Sequence, residues 1–395
     1  FKWYILYRRK ISNLNRFSSA PIHRSYTYLM NLFPERNYFR SKIACMLILI
    51  SLPSIVYFNS LQGTFQFDDR NLLNKEWIAD LDSFSTNVSL GSVGTRPILL
   101  WSFAVNNHLD GKHTFGFHLA NLILHILVTL LIFTILIHIK NIILKGYICD
   151  EKENQKLVNH KITGALFFPF ATSLIFALHP MNTDSVAYIS SRSSLLATFF
   201  YLLTIYCFIE TLLTSRTVKH RIIFSLLIIP GIYLAVASKL IAVTLPVVLI
   251  FFFLIIYVPK YFPDYLKYFT ISKMILFFGC SGIILISSAH YFDVLYSPRD
   301  QGSKLFGGVP YLLIQFKVII FYYINKFILP FNLNVDSGFP FTEFATDWKI
   351  LFSIFLIITM ILVVLKWGNI WIKLGCAWFF LSILPTSSII PLNDL

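Results

Sequence analysis

Long apolar runs alternate with short polar segments along the chain, and several runs reach the roughly 20 residues that a helix needs to cross a bilayer. A helix satisfies its own backbone hydrogen bonds in lipid, so the pattern predicts an all-α, polytopic transmembrane helix bundle. We expect nine spans, at residues 43–61, 117–139, 163–180, 188–211, 222–237, 241–258, 274–290, 349–366 and 374–391.

One further apolar run, 309–329, is more polar than the others and contains Gln315 and Lys317. If this run crossed the membrane, the run 349–366 would end outside beside two lysines, whereas basic residues tend to stay in the cytoplasm. We therefore predict a juxtamembrane helix that lies on the outer surface. A bundle of ten spans is the alternative.

Charge predicts the orientation of the bundle. The segment 1–42 contains nine basic residues and a single acid, which makes it a cytoplasmic basic segment. The polar segment 62–116 is then a large first outer loop. The segment 140–161, with five lysines, returns to the cytoplasm, and the chain ends outside.

Composition excludes a soluble protein. Hydrophobic residues make up 56% of the chain and charged residues only 13%, against about 25% in soluble domains. A net charge of +14 would indicate nucleic-acid binding in a soluble protein, but here the basic residues lie mainly between spans, so we expect no nucleic-acid partner. The five cysteines are scattered without paired spacing, which predicts neither a disulfide framework nor a metal site.

Two groups of polar residues lie on the predicted outer side. Asp68 and Asp69 follow the first span, where a solvated loop or a helix cap formed by Asp69 is the structural interpretation. His179, Asp184 and Arg192 form the second group. Asp184 and Arg192 are eight residues apart, so one helix face could carry both. An arginine inside a span needs a partner or a water-filled cavity.

Further polar residues lie at the same predicted level. His118, Asn121 and His125 share one helix face at spacings of three and four, where hydrogen bonds between helices would explain them structurally. Lys239 at an outer turn could be a snorkelling lysine. No metal-binding motif accompanies the histidines. Because a bundle would bring these ionisable groups together, we predict an active site on the outer face.

Seven segments, in this order, resemble a known family. They are Phe67-Asp68-Asp69, Thr95-Arg96-Pro97-Ile98, 116–125 (GFHLANLILH), 178–188 (LHPMNTDSVAY), 191–197 (SRSSLLA), 237–239 (ASK) and 329–336 (LPFNLNVD). The set resembles the membrane domain of the tetratricopeptide-repeat-containing transmembrane O-mannosyltransferases and their bacterial relatives. More broadly it is similar to the GT-C glycosyltransferases.

The resemblance covers most of residues 43–395, which would form one transmembrane GT-C-like domain. The family often has Lys-Glu where this chain has Lys239-Leu240, so a role for that acid is not carried over. Tetratricopeptide repeats normally follow the membrane domain. No such repeat is present in these 395 residues, and we expect the chain to end before that module.

The resemblance implies a transferase that takes a sugar, such as mannose, from a polyprenyl-phosphate donor in the outer leaflet and gives it to an acceptor hydroxyl with inversion. Asp68 or Asp69 would be the catalytic base, and the pair leaves a divalent metal open. Donor phosphate would be bound by basic residues, namely Arg192, Lys239, His179, Arg96 and Arg299. The supporting residues would be His118, Asn121, His125 and Asp184.

Two other functions fit the sequence, a transporter or flippase of lipid-linked sugars and a non-catalytic membrane scaffold. Inverted repeats and mid-depth charges, which are typical of transporters, are not visible in the sequence. The acceptor could be a protein, a lipid or a glycan, and membrane lipids would surround the bundle. We expect a bacterial cytoplasmic membrane, with the endoplasmic reticulum as the alternative.

Overall fold

The computed structural model describes residues 38–69, 78, 81–82, 84–85, 96–148, 166–212, 217–254, 309–333 and 347–387, and all regular structure within them is helical. The α-helices are α1 (Tyr38–Val56), α2 (Pro97–Asp110), α3 (Thr114–Ile148), α4 (Phe167–Leu178), α5 (Thr183–Ala187), α6 (Arg192–Leu212), α7 (Val218–Leu226), α8 (Ile228–Ser238), α9 (Leu245–Phe252), α10 (Val309–Val318), α11 (Asn325–Ile328), α12 (Trp348–Trp367) and α13 (Ile370–Ile383).

Among the described residues, five helices are long and apolar enough to cross a membrane, which makes the chain an integral membrane protein. These segments are Phe39–Val56, Thr114–Ile142, Ile189–Leu212, Val218–Ser238 and Trp348–Trp367. Each overlaps a predicted span. The predicted span 274–290 lies outside the described residues, so the predicted count of nine or ten remains a prediction.

Three predicted spans contain only short α-helices within the described residues. The helices found there are α4, α9 and α13, of 12, 8 and 14 residues. At 1.5 Å per residue, α4 is about 18 Å long, shorter than the roughly 30 Å hydrocarbon layer. The predicted first outer loop is also more ordered than its polarity suggested, because α2 forms inside it.

The first helices alternate in direction. The ring of Tyr57, just after α1, meets His125 of α3, while Cys45 near the start of α1 packs in one apolar cluster with Ile137. Thus α1 and α3 are antiparallel. The carbonyl of Ala177, at the end of α4, lies 2.9 Å from His125 Nε2, near the start of α3. Helix α4 therefore also runs antiparallel to α3. This order is the one that the charge pattern predicts.

Helix α6 lies at the centre of the described bundle, beside α3 and α8. Gly231 of α8 packs so closely on α6 that an added Cβ would overlap the Thr204 hydroxyl. Helices α7 and α8 meet at Leu227, because Pro230 has no N–H to bond the carbonyl four residues earlier. The two helices therefore form one slightly broken span antiparallel to α6.

The run predicted as a juxtamembrane helix forms α10, a π-helical segment Ile319–Ile324, and α11. Lys317 pairs with Asp347, which caps α12, at 2.6 Å. Tyr323 lies beside Ser387, and the carbonyl of Phe327 is 3.0 Å from His179 Nε2. All three partners belong to span ends that were predicted to lie outside. These contacts join the run to the ends of three predicted spans, and its position on the outer surface stays a prediction.

A buried carboxylate joins three helices at the opposite end. Glu210 of α6 is fully buried, with its two oxygens 2.9 Å from His138 Nε2 and 3.0 Å from His220 Nε2. His138 Nδ1 faces the Thr134 carbonyl and must therefore carry a proton. A second proton must then lie between His138 Nε2 and Glu210, because neither a carboxylate nor a bare ring nitrogen can donate.

Glu210→Ala should lower the free energy of unfolding by roughly 3–5 kcal/mol, because it leaves two imidazoles without their shared acceptor inside the bundle. Chemical unfolding of the purified protein in detergent measures this change. Lys219→Ala, at an exposed position next to His220, is the control and should stay within about 0.5 kcal/mol of the parent. Equal stability of the two variants would show that the cluster does not hold the helices.

Candidate functional site

Four remote segments meet at the predicted outer end of the bundle. They are the turn after α1, the N-terminal half of α2, the start of α3 and the broken chain between α4 and α6. These segments contain most of the residues that the sequence indicated. The site therefore forms where long apolar helices end, because the turns between them bring polar groups together.

Asp69 is buried and holds the turn after α1 in place. Its Oδ1 accepts hydrogen bonds from the backbone N–H and the hydroxyl of Ser190, and its Oδ2 accepts one from the Gln66 N–H. The Asp69 N–H in turn donates to the Gln66 carbonyl. Both carboxylate oxygens are thus used within the protein, and Oδ1 links segments that are 121 residues apart in sequence.

Asp68 has the opposite environment. Its side chain is exposed, and its backbone N–H donates to the hydroxyl of Tyr188 over 3.3 Å. Burial raises the pKa of the Tyr188 phenol, so this group stays neutral at physiological pH. Of the two adjacent acids, Asp68 is the one that can reach a molecule outside the protein.

The prediction that Asp184 and Arg192 share one helix face is wrong. Helix α5 ends at Ala187, Tyr188 is extended, and a 3-10 turn at Ile189–Ser191 precedes α6. Asp184 accepts a hydrogen bond from the Ser191 hydroxyl instead. The non-helical residue and the 3-10 turn between α5 and α6 interrupt the regular helical spacing, so the Asp184 carboxylate and the Arg192 guanidinium do not share one helix face.

Arg192 is 1% exposed and joins three helices through neutral oxygens. Nε donates to Asn121 Oδ1 at 2.8 Å, Nη2 to the Phe117 carbonyl at 2.8 Å, and Nη1 to the Ser102 carbonyl at 3.2 Å. The guanidinium carbon also lies 4.6 Å from the centre of the Phe103 ring. This satisfied, buried group is a support for the site, and its donors point away from solvent.

The three predicted α3 residues do lie on one face, and each has a different environment. Asn121 bridges Arg192 and the Tyr188 carbonyl. His125 has its Nε2 2.9 Å from the Ala177 carbonyl. His118 is buried against Gly63, where an added Cβ would come within 2.8 Å of Nε2, and neither of its nitrogens has a hydrogen-bond partner among the described residues.

The other predicted phosphate ligands differ in how accessible they are. His179 Nδ1 accepts the Met181 N–H, so its proton lies on Nε2 and is donated to the Phe327 carbonyl. Lys239, at the break after α8, donates to the Ser194 hydroxyl at 2.9 Å. Arg96 precedes α2 and is exposed. Arg299 lies outside the described residues.

The hydrogen bonds of the acid pair limit which of its oxygens could bind a divalent metal. Asp69 already accepts three hydrogen bonds, which leaves Asp68 as the accessible ligand. Within the described ranges, no group of three or more His, Cys, Asp or Glu side chains could hold an ion. The Asp68–Asp69 pair by itself therefore offers one accessible carboxylate, and hard cations need several oxygen ligands.

Sequence reasoning missed several residues that build the site. Ser190 donates two hydrogen bonds to Asp69, and the Tyr188 hydroxyl accepts one from the backbone N–H of Asp68. The carbonyls of Ser102 and Phe117 accept hydrogen bonds from Arg192. No sequence signal marks a backbone carbonyl as a ligand. A contribution of Tyr188 and Ser190 to the site could have been predicted only from their position between two helical segments.

Comparisons with curated proteins identify relatives of this chain. Protein O-mannosyl-transferase F38B6.6 of Caenorhabditis elegans is 23% identical over 369 residues, which cover 89% of this chain and 47% of that protein. Protein O-mannosyl-transferase TMTC1 of Homo sapiens is 31% identical over 173 residues, which cover 40% of this chain and 17% of that protein. Protein O-mannosyl-transferase TMTC4 of Homo sapiens is 27% identical over 178 residues, with coverages of 41% and 22%.

The chain spans about half or less of the length of these relatives. No family model and no solved structure matches it. Homology to the TMTC-family protein O-mannosyltransferases nevertheless extends over most of the chain. The resemblance predicted from its motifs is therefore confirmed.

Arg192→Lys should lower the free energy of unfolding by roughly 2–4 kcal/mol, because one ammonium group cannot reach all three acceptors on α2 and α3. Thermal unfolding in detergent measures this, with Arg96→Lys as a control at an exposed arginine. If Arg192→Lys keeps the parental stability and only weakens donor binding, Arg192 is a phosphate ligand and not a support.

Proposed function

We propose that this chain is the membrane part of a glycosyltransferase that moves a sugar from a polyprenyl-phosphate donor to a protein hydroxyl. The relatives are named protein O-mannosyl-transferases, which supports mannose as the sugar and a protein as the acceptor. A lipid-linked donor also explains why the candidate site lies at the ends of membrane-spanning helices. There the lipid chain can remain in the bilayer while the sugar reaches the polar groups.

The exposed carboxylate of Asp68 carries this proposal. It lies next to Asp69, whose three hydrogen bonds hold the turn against the start of α6. A base must be accessible to its substrate and fixed in position, and the two acids meet these needs separately. A scaffold protein would not need this pairing of one accessible acid and one buried acid.

In the proposed reaction, Asp68 accepts the proton of the acceptor hydroxyl as its oxygen attacks the anomeric carbon of the donor sugar. The bond between that carbon and the phosphate oxygen breaks on the opposite side of the ring. The electron pair leaves with polyprenyl phosphate, and the new glycosidic bond has inverted configuration. General base catalysis of this kind is typically worth about 10²–10⁴-fold in rate.

The leaving phosphate gains negative charge and needs a cation. Arg192 and His179 are less suited to this role than the sequence suggested, because their donors already bind protein oxygens. Arg96 is exposed, and Lys239 is only partly buried. We therefore assign phosphate binding to Arg96, while Lys239, which also donates to a protein oxygen, and Arg299 keep their sequence-based predictions.

We place the reaction on the extracytoplasmic side, since the basic N-terminal segment favours a cytoplasmic N-terminus. The relatives reported above are animal proteins. Their origin favours the endoplasmic reticulum, the alternative in the sequence-based prediction, over a bacterial membrane.

Asp68→Asn should reduce sugar transfer by about 10²–10⁴-fold, because the amide keeps the shape of the side chain but cannot accept the proton. Transfer from polyprenyl-phosphate mannose to a serine- or threonine-containing peptide, by the full-length protein in liposomes, measures the loss. The unfolding temperature should not change, since the side chain is exposed. Undiminished transfer by a folded Asp68→Asn protein would refute the proposal.

Asp69→Asn should behave differently and lower stability by about 1–3 kcal/mol. Asparagine has one acceptor oxygen, so its NH₂ group would face the N–H of either Gln66 or Ser190. Thermal unfolding distinguishes this outcome from that of Asp68→Asn. If Asp69→Asn is as stable as the parent, Asp69 does not hold the turn.

A further inference from the structure

Phe67, the residue before the candidate base, has an unusual backbone. Its φ is +42°, in the left-handed region that bulky residues rarely adopt. Phe67 is the first central residue of the turn Gln66–Asp69, which the Asp69 N–H closes by donating to the Gln66 carbonyl. Glycine, asparagine or aspartate is the usual residue at a turn position with positive φ. A phenylalanine here is unfavourable for folding.

Among the described residues, the side chain of Phe67 makes no core contact that would offset this strain. It is 67% exposed, so it contributes little to the apolar core. Its main described contact is with the ring of Tyr188, edge to face, with centroids 6.2 Å apart. Strained backbone of this kind occurs where the surrounding structure enforces it, and it clusters at functional sites. The bonds of Asp69 to Gln66 and Ser190 supply that enforcement.

Phe67 and Asp68 are held by the same neighbour. The Tyr188 ring contacts Phe67, and the Tyr188 hydroxyl accepts the backbone N–H of Asp68. The phenyl ring and the backbone of the candidate base are therefore supported by the same residue. An exposed ring fixed beside an exposed carboxylate forms a surface with one apolar and one charged part.

We propose that the ring of Phe67 binds the apolar C–H face of the donor sugar while Asp68 receives the acceptor proton. This inference rests on the proposed function and names the part of the substrate that the turn recognises. The C–H groups on one face of a pyranose carry partial positive charge, and the face of an aromatic ring carries partial negative charge. Such stacking orients the sugar without a hydrogen bond.

The dimensions of the reaction support this placement. The acceptor oxygen must lie within about 3 Å of the base, and the anomeric carbon about 3–3.5 Å beyond that oxygen. Adjacent Cα atoms are about 3.8 Å apart. A residue next to the base along the chain is therefore within reach of the donor sugar ring.

Two other roles for Phe67 give different expectations. If the side chain only anchors the turn in lipid, any large apolar residue should replace it. If the strained backbone alone positions Asp68, the ring should be dispensable when the conformation is kept. Asparagine keeps a positive φ at low cost and has no ring, whereas leucine keeps the apolar bulk.

Three variants of the full-length protein in liposomes separate these roles, namely Phe67→Tyr, Phe67→Leu and Phe67→Asn. We measure equilibrium binding of polyprenyl-phosphate mannose and of polyprenyl phosphate without sugar, then KM and kcat for transfer to the peptide. Phe67→Tyr should stay near the parent. Phe67→Leu and Phe67→Asn should bind the mannose-bearing lipid about 5–10-fold more weakly, with binding of the sugar-free lipid unchanged.

Parental binding of the mannose-bearing lipid by Phe67→Leu would overturn the stacking proposal in favour of lipid anchoring. Parental binding by Phe67→Asn would overturn it in favour of a backbone role. An equal loss for both lipids would also overturn it, because the sugar would then not be the group recognised. Should Phe67→Asn fail to fold, Phe67→Leu still decides.

The proposed function fails separately from this inference. If Asp68→Asn retains transfer, Asp68 is not the base, whatever Phe67 binds. If Asp68→Asn abolishes transfer but the Phe67 variants bind both lipids like the parent, the transferase proposal stands and the sugar platform is rejected.

Discussion

The buried guanidinium of Arg192 is the interaction on which this end of the bundle depends. A charged group with 1% exposure must have hydrogen-bond acceptors, because leaving it unpaired in the protein interior costs several kcal/mol. The acceptors come from α2 and α3, so those helices must close around the start of α6. Once α6 begins at this point, Ser190 is held two residues earlier. Ser190 then donates hydrogen bonds to Asp69, and Asp69 fixes the turn on which Asp68 is exposed. Each polar contact therefore positions the next.

Helix α6 contains buried charge at both ends, and the two ends have different tasks. Arg192 joins α2, α3 and α6 at the predicted outer face, while Glu210 joins α3, α6 and α7 through two histidines at the other. Membrane helices have little hydrophobic preference for one another in lipid, so directional polar contacts can select one packing arrangement. The inner cluster holds the helices, and the outer network also supports the turn that carries the proposed base. A catalytic residue benefits from such a support, because its position must be accurate to a fraction of an ångström.

Adjacent residues at the candidate site have separate roles. Asp69 is consumed by three hydrogen bonds within the protein, Asp68 is exposed, and Phe67 adopts a strained conformation between Gln66 and Asp68. The hydrogen bonds of Asp69 offset the strain at Phe67, which in turn places a ring beside the base. Homology to protein O-mannosyltransferases supports a membrane glycosyltransferase, and this local geometry is the basis on which we propose Asp68 as its base.

Hydrophobic periodicity and charge determined the membrane class, the alternating direction of the first helices and the level at which polar residues gather. Those properties follow from the transfer of side chains between water and lipid, which each segment undergoes largely by itself. His118, Asn121 and His125 were likewise placed on one face, because helical spacing is local. The tertiary structure alone decided that Arg192 pairs with carbonyls and not with Asp184, that Asp69 is buried while Asp68 is exposed, and that Phe67 has a positive φ. These features depend on where the helices are interrupted and on contacts between residues about 70–120 positions apart in sequence. At such separations, hydrogen-bond geometry and not residue type selects the partner.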